Sequence, residues 1–278
     1  MEDISQIVAA SCFAPQLFRG KRVLITGASR GIGRACSLAF ARLGADLVLI
    51  SKNAQNLSAV QKELGLLGSG QTVLIEAADL ADAEALNATL KRIKDRLDGI
   101  DILINNAGIY ITEAVADHSL ASWQRTMDTN LTSAMLLSSQ LVSGMVDRRW
   151  GRIINISSMS GRSGEAYGAA YSASKFALIG LTQSLALEVA VTGVTVNAVC
   201  PGWVATDMAF GQLTDQRWCE LNQLEVAHSV DTAKFSVPQQ RLIEASEVAD
   251  LVIYLATDAA RGITGQAINI CGGLSIHS

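Results

Sequence analysis

What this 278-residue sequence has little of limits its function before any motif is read. Charged residues make up 17% of it, and acidic residues outnumber basic ones, 26 to 22, for a net charge of −4. Without a basic excess or a basic stripe, nucleic acid and an anionic membrane surface are not expected partners, and small-molecule chemistry remains. Histidine occurs three times, at His118, His228 and His277, with no ligand spacing, so no metal site is expected. The five cysteines, Cys12, Cys36, Cys200, Cys219 and Cys271, are an odd set without a CxxC pair. That fits reduced thiols buried as small apolar residues in a cytoplasmic protein better than a disulfide framework or a zinc site. No apolar run near the acidic start "MEDISQIVAASCFAPQLFRG" is long enough for secretion or for spanning a bilayer. Residues 1–20 therefore read as an N-terminal surface extension, with a short helix as one form. No repeat, low-complexity tract or linker interrupts residues 21–278, which read as one catalytic domain.

What is present is alternation. Apolar runs of strand length ("KRVLITG", "ADLVLIS", "QTVLIEAADL", "IDILINNAG", "GRIINISS", "VTVNAVCPG", "GQAINICGG") are separated by stretches of helical period. These include a long helical region near 119–149, a helix near 168–190 and "ASEVADLVIYLATD", with an irregular segment before the last. Near-continuous apolar strands joined by helical crossovers imply an α/β, doubly wound parallel sheet of Rossmann type, covered by helices on both faces. In such sheets ligands sit beyond the carboxyl ends of the strands, so informative residues should lie just after strands.

After the first strand comes "TGASRGIGR", with Gly27, Gly31 and Gly33 spaced GxxxGxG. Glycines permit a tight turn and a close approach of backbone to a pyrophosphate, which then meets amide N–H groups at the next helix N-terminus. Ser29, Arg30 and Ile32 share that turn as further cofactor contacts. Where an NAD site places an acid on the ribose, roughly 20 residues on, this chain reads Ser51 and Lys52. A carboxylate would repel a 2′-phosphate, whereas Lys52 with Arg30 attracts one, which favours NADP(H) over NAD.

The stretch "SSMSGRSGEAYGAAYSASK" holds two tyrosines and one lysine. On a helix over 168–190, Tyr171 and Lys175 are four apart and share a face, whereas Tyr167 is a turn too early. Using a phenol of pKa near 10 as a proton shuttle at neutrality needs roughly 4 kcal/mol of help for its anion. A lysine cation about 4 Å away, at an effective dielectric near 20, supplies about that much.

Taken together, T-G-x-x-x-G-x-G at Thr26 to Gly33, N-N-A-G at Asn105 to Gly108, a serine thirteen residues before Y-x-x-x-K, and P-G-x-x-x-T at Pro201 to Thr206 resemble the short-chain dehydrogenase/reductase family. The resemblance runs from about residue 20 to the C-terminus. It implies that Ser158, rather than Ser157, hydrogen-bonds the substrate oxygen. It further implies that Tyr171 is the general acid or base, that Lys175 lowers the Tyr171 pKa and holds the nicotinamide ribose, and that Asn130 orders a proton-relay water. For the cofactor it implies Asp79 and Leu80 at the adenine, with capping of the next helix as the alternative for Asp79. Asn106, Ala107 and Gly108 would lie beside the adenosine ribose, and Pro201, Gly202, Val204 and Thr206 around the nicotinamide.

The reaction so implied is hydride transfer between NADP(H) and a ketone or secondary alcohol. A 3-oxoacyl-thioester reductase is the near alternative, with Arg125, Arg148 and Arg149 as a landing site for an acidic carrier protein. A non-catalytic dinucleotide sensor or scaffold is the alternative from another class. The irregular segment at about 207–240 falls where the family carries a substrate lid, and Met208, Phe210, Leu213, Trp218, Leu221 and Leu224 would form its apolar cover unless short helices simply pack there. Arg162, Glu165, Tyr167, Ile109 and Tyr110 are further pocket candidates. Family resemblance also implies a homodimer or homotetramer built on the helices near 168–190 and 245–257.

Overall fold

Strands with no polar face can be stable only when both faces are covered, and that is how this chain folds. The computed structural model describes residues 13–67 and 70–276. The expected N-terminal helix falls largely in residues 1–12, outside the described residues, as do Cys12 and His277. Seven parallel strands form one sheet: β1 (Arg22–Thr26), β2 (Asp46–Ser51), β3 (Val73–Ala77), β4 (Ile102–Asn105), β5 (Gly151–Ile156), β6 (Val194–Pro201) and β7 (Ala267–Ile270). Their order is β3-β2-β1-β4-β5-β6-β7. The chain thus winds outward from β1, returns to its other side at β4 and winds outward again, leaving a crevice at the reversal.

Helices cover both faces. On one side lie α1 (Gly31–Arg42), α2 (Ala54–Gly65) and α10 (Ala245–Ala256), packing Phe40, Leu57 and Val252 against Val23, Ile25, Leu47 and Ile104. On the other lie α3 (Ala83–Lys94), α5 (Ser133–Asp147) and α6 (Ala169–Val189), packing Leu86, Leu90, Leu137 and Met145 against Leu24, Val48, Leu103 and Ile153. Successive strand residues fall into alternate cores, as the two-residue period of a strand requires. Each fully buried Leu or Ile contributes about 1.5–3 kcal/mol. A buried polar chain under the second face, Asn105 Nδ2 to Asn155 Oδ1 (2.8 Å) and Asn155 Nδ2 to Thr182 Oγ1 (2.8 Å), ties β4, β5 and α6 together.

Two expectations change. The helical region near 119–149 is not one continuous α-helix: α4 (Leu120–Met127) passes into a π-helical turn, Asp128–Thr132, before α5 begins. An extra residue in the turn breaks the regular ladder and rotates the side chains that follow, which happens mostly at functional sites. The segment 207–240 is not irregular either. It holds α7 (Asp207–Leu213), α8 (Gln216–Leu221) and α9 (Val226–Ser236), each of the first two capped by a side chain, from Thr206 and Asp215 respectively.

Candidate active site

The strand ends build the site. Thr26, last in β1, turns its hydroxyl toward β4 and accepts hydrogen bonds from the amides of Asn106 and Ala107, both at 3.0 Å. Asn106 Nδ2 returns a bond to the Thr26 carbonyl at 2.9 Å. This lashing fixes the glycine turn: a β-carbon on Gly33 would stand 2.3 Å from the Gly27 carbonyl oxygen and 2.6 Å from Asn106 Nδ2. Gly27 and Gly31 have φ of +62° and +52°, the left-handed region that favours glycine. Helix α1 begins here with no side-chain cap and no acid in its first turn. Its unpartnered amides and dipole thus face a cleft able to accept a pyrophosphate.

That cleft, about 770 Å³, runs across the reversal point. Its walls include Gly27, Ser29, Arg30, Gly31, Ile32, Ser51, Lys52, Asp79, Leu80, Asn106, Ala107 and Gly108 at one end, and Ser158, Tyr171, Lys175, Pro201, Gly202, Val204 and Thr206 toward the other. Of the residues expected at the site, Gly33 and Asn130 are not on its surface. Gly33 supports the turn from behind. Asn130 is buried in the π-helical turn, where Oδ1 accepts from Ile109 N (2.8 Å) and Nδ2 donates to Ile109 O (3.0 Å) and Ser174 Oγ (3.1 Å). It therefore pins the chain that leaves β4 just behind Gly108 and Lys175.

At the adenosine end, Ser29 and Ser51 hydroxyls share a 2.9 Å hydrogen bond, and Lys52 Nζ lies 3.0 Å from Asp79 Oδ2. Arg125 also reaches Asp79 Oδ2, at 2.9 Å. Partial burial alone would raise the Asp79 pKa, but Lys52, the Ala81 amide and Arg125 together hold it below the usual carboxylate value. The helix-cap alternative for Asp79 is corrected, because Asp82 caps α3 through the amides of Glu84 and Ala85. Arg30 meets Asp207, the first residue of α7, at 3.6 Å, so the glycine turn and α7 touch through an exposed ion pair.

At the reaction end, Ser157 points back and donates to the Lys175 carbonyl at 2.9 Å, while Ser158, whose hydroxyl accepts from the Ser160 amide at 3.0 Å, lines the cleft beside Tyr171. Lys175 is buried, with Nζ 2.8 Å from the Ile156 carbonyl and 5.5 Å from the Tyr171 ring centre. The expected lowering of the Tyr171 pKa is not what this geometry gives. Burial drives Tyr171 up to about 12, the neighbouring Ser158 hydroxyl opposes this, and the charge of Glu165 adds to it. Burial likewise brings Lys175 down to about 8. The amine is hydrogen-bonded to a backbone carbonyl and stands 5.5 Å from the Tyr171 ring centre, so at neutrality Tyr171 is a protonated acid beside a nearby cation.

Several pocket expectations are revised. Glu165 and Ile109 line the cleft, whereas Arg162 turns to the Ala267 carbonyl (3.0 Å) and Tyr167, at φ +62°, offers its carbonyl to the Glu113 amide. Tyr110 stands behind Glu165, its ring edge-on to Tyr171 at 5.1 Å. From α7 and α8, Met208 and Trp218 line the cleft, Leu213 and Trp218 form a small core with Cys219 and Ala233, and Phe210 is 41% exposed and so is not part of the expected cover. Arg125 belongs to the cleft. Arg148 and Arg149 bond to the Ile100 and Val191 carbonyls, next to the starts of β4 and β6 and thus at the opposite end of the sheet, so the three arginines form no common landing site. Sequence reasoning missed Trp203, Gln212, Leu274 and Ser275. The last two follow β7, so the rule that site residues lie after strands would have found them.

A parallel, doubly wound sheet whose crevice joins an uncapped glycine turn to a Ser-Tyr-Lys cluster defines a nicotinamide-dinucleotide oxidoreductase. Comparison with known proteins narrows that class. The family model for short chain dehydrogenase matches residues 21–217. A 3-oxoacyl-(acyl-carrier-protein) reductase of Vibrio harveyi is 38% identical over 255 residues, 92% of this chain and 97% of that one. A D-beta-hydroxybutyrate dehydrogenase of Rhizobium meliloti is 37% identical over 255 residues, 91% of this chain and 98% of that one. The crystal structure of an actinorhodin polyketide ketoreductase variant with NADPH superposes with a TM-score of 0.86 at 33% identity, covering 95% of this chain and all of that one. The chain belongs to the short-chain dehydrogenase family and is an oxidoreductase of keto and hydroxyl groups. Among the described residues, no helix is long and apolar enough to cross a membrane, and no cluster of three metal-ligating side chains occurs.

Proposed function

We propose that the protein reduces a ketone to a secondary alcohol with NADPH, Tyr171 serving as the general acid. The observation that carries this reading is the convergence of Ser158, Tyr171 and Lys175 at one end of a cleft whose other end is the glycine turn. Because Tyr171 keeps its proton at neutrality, it is in the form that protonates an alkoxide. Ser158 offers a hydroxyl to the same substrate oxygen. Lys175, protonated below about pH 8, stabilises the tyrosinate as the proton leaves. Asn130 acts as a positioning residue, since both ends of its amide are engaged.

The dinucleotide fits the residues present: uncapped α1 amides for the pyrophosphate, and Arg30 with Lys52 for a 2′-phosphate, with no acid at the end of β2. When bound, it supplies the hydride. The actinorhodin ketoreductase structure with NADPH supports the same choice. A 3-oxoacyl thioester is the second substrate reading, supported by the Vibrio harveyi reductase. We also assign a cytoplasmic location and self-association through α6, supported by buried thiols and by Leu187 on α6 and Val191 just after it, 81% and 86% exposed. A panel of ketones and 3-oxoacyl thioesters run with NADPH and with NADH tests the reaction. NADPH-dependent ketone reduction is expected, and no turnover of any ketone would refute it.

A further inference from the structure

The substrate end of the cleft carries a carboxylate that the reaction itself does not need. Glu165, six residues before Tyr171, accepts at Oε1 from the Tyr110 hydroxyl (3.0 Å) and Gln212 Nε2 (2.7 Å), and at Oε2 from the Ser160 hydroxyl (2.8 Å). Every one of these donors is neutral, and together they draw on β4's exit, the loop before α6 and the lid helix α7. The arrangement therefore holds the charge in place without cancelling it.

Among the described residues, no cation that lines the cleft forms an ion pair with Glu165. Arg30 and Lys52 stand at the glycine turn and the end of β2, paired with Asp207 and Asp79, and Arg125 also serves Asp79. Lys175 is bound to the Ile156 carbonyl. Arg162, three residues from Glu165, points to β7. Tyr110 links the carboxylate directly to the reacting group, since its hydroxyl meets Glu165 and its ring meets Tyr171. The field of Glu165 also opposes ionisation of Tyr171, which shows that the two groups sense each other.

Resting on the ketone-reduction reading, we propose that Glu165 is a charge filter on the substrate, so that the cleft takes a 3-oxo compound whose carboxyl end is neutral, as an ester or thioester, and rejects the free 3-oxo acid. Two like charges about 6 Å apart in partly screened surroundings separate such substrates by about 10- to 100-fold.

The probes are ethyl acetoacetate and acetoacetate, which differ in charge at the far end. kcat/KM for each, with NADPH, is measured for the wild type, Glu165→Gln and Glu165→Asp. We expect the wild type to favour the ester by at least about tenfold, Glu165→Gln to lower that ester-to-acid ratio about tenfold, and Glu165→Asp to keep it. Raising the ionic strength should narrow the ratio in the wild type and leave it unchanged in Glu165→Gln. Equal losses on both substrates in Glu165→Gln would show a tie between lid and loop and would overturn the filter. A wild type that reduces both substrates equally well would overturn the filter while leaving ketone reduction standing. Failure to reduce any ketone would overturn both.

Discussion

The two halves of the cleft are built by different means. The half proposed to hold the cofactor is made of strand ends and one glycine turn, lashed by the Asn106 and Ala107 amides to the Thr26 hydroxyl, with no room for a β-carbon at Gly33. The substrate half is closed by three short helices, α7 to α9, which share a small core around Trp218 and reach the rest mainly through Gln212, Asp207 and Trp203. Dinucleotide binding calls for fixed geometry, whereas substrate choice can be altered in a module with few ties to the sheet.

A single added side chain is enough to test this contrast at its rigid end. In Gly33→Val the new β-carbon would collide with the Gly27 carbonyl, which is backbone and cannot swing aside as a side chain could. Overpacking of this kind costs about 1–3 kcal/mol, and calorimetric titration should show NADPH affinity falling by about 100-fold. Retained affinity would show that the turn is not the rigid element described.

Next in size is the 2′-phosphate end. Lys52→Glu places a second carboxylate beside Asp79 and reverses the sign that favours NADPH. The ratio of kcat/KM for NADPH over NADH should drop about tenfold or more. An unchanged ratio would move phosphate recognition to Arg30.

How much of this was legible in the sequence follows the same division. Strands β1, β4, β5 and β6 are predominantly apolar runs broken by few polar residues, and the residues after them mark the crevice, so both the fold and the glycine turn could be read directly. The π-helical turn at Asp128–Thr132 could not, because its residues carry the same polarity pattern as the helices on either side. Helices α7 and α8, of seven and six residues, are too short for a 3.6-residue period to emerge. The pairing of Tyr171 with Lys175 was visible from their spacing, but the sign of the phenol's shift was not. Four residues of separation place two side chains on one face without saying that Ile156 claims the amine or that burial outweighs the cation.

That reversal makes the pH profile informative. With Tyr171 protonated throughout the accessible range, reduction should hold steady up to about pH 8 and then fall up to about tenfold per unit as Lys175 loses its proton. A rate that stays level to pH 10 would show that the ammonium is dispensable. Stability moves the other way. Lys175 binds its proton less tightly folded, near 8, than unfolded, near 10.5, so its destabilising contribution shrinks as pH rises through that window.

The smallest effect belongs to α7, in the segment proposed as a lid. A β-carbon added at Gly211, in α7, would meet nothing within 4 Å. Gly211→Ala should raise stability by no more than about 1 kcal/mol through helix propensity. A marked loss of stability or of NADPH binding would mean that the lid is as tightly built as the glycine turn.

The central claim is that Tyr171 delivers the proton while the cofactor half works independently of it. The most direct test is Tyr171→Phe, with ketone turnover and NADPH affinity measured on the same preparation. Turnover should fall by about 10²- to 10⁴-fold with affinity within a few fold of the wild type. Turnover that survives the loss of the hydroxyl would contradict the account.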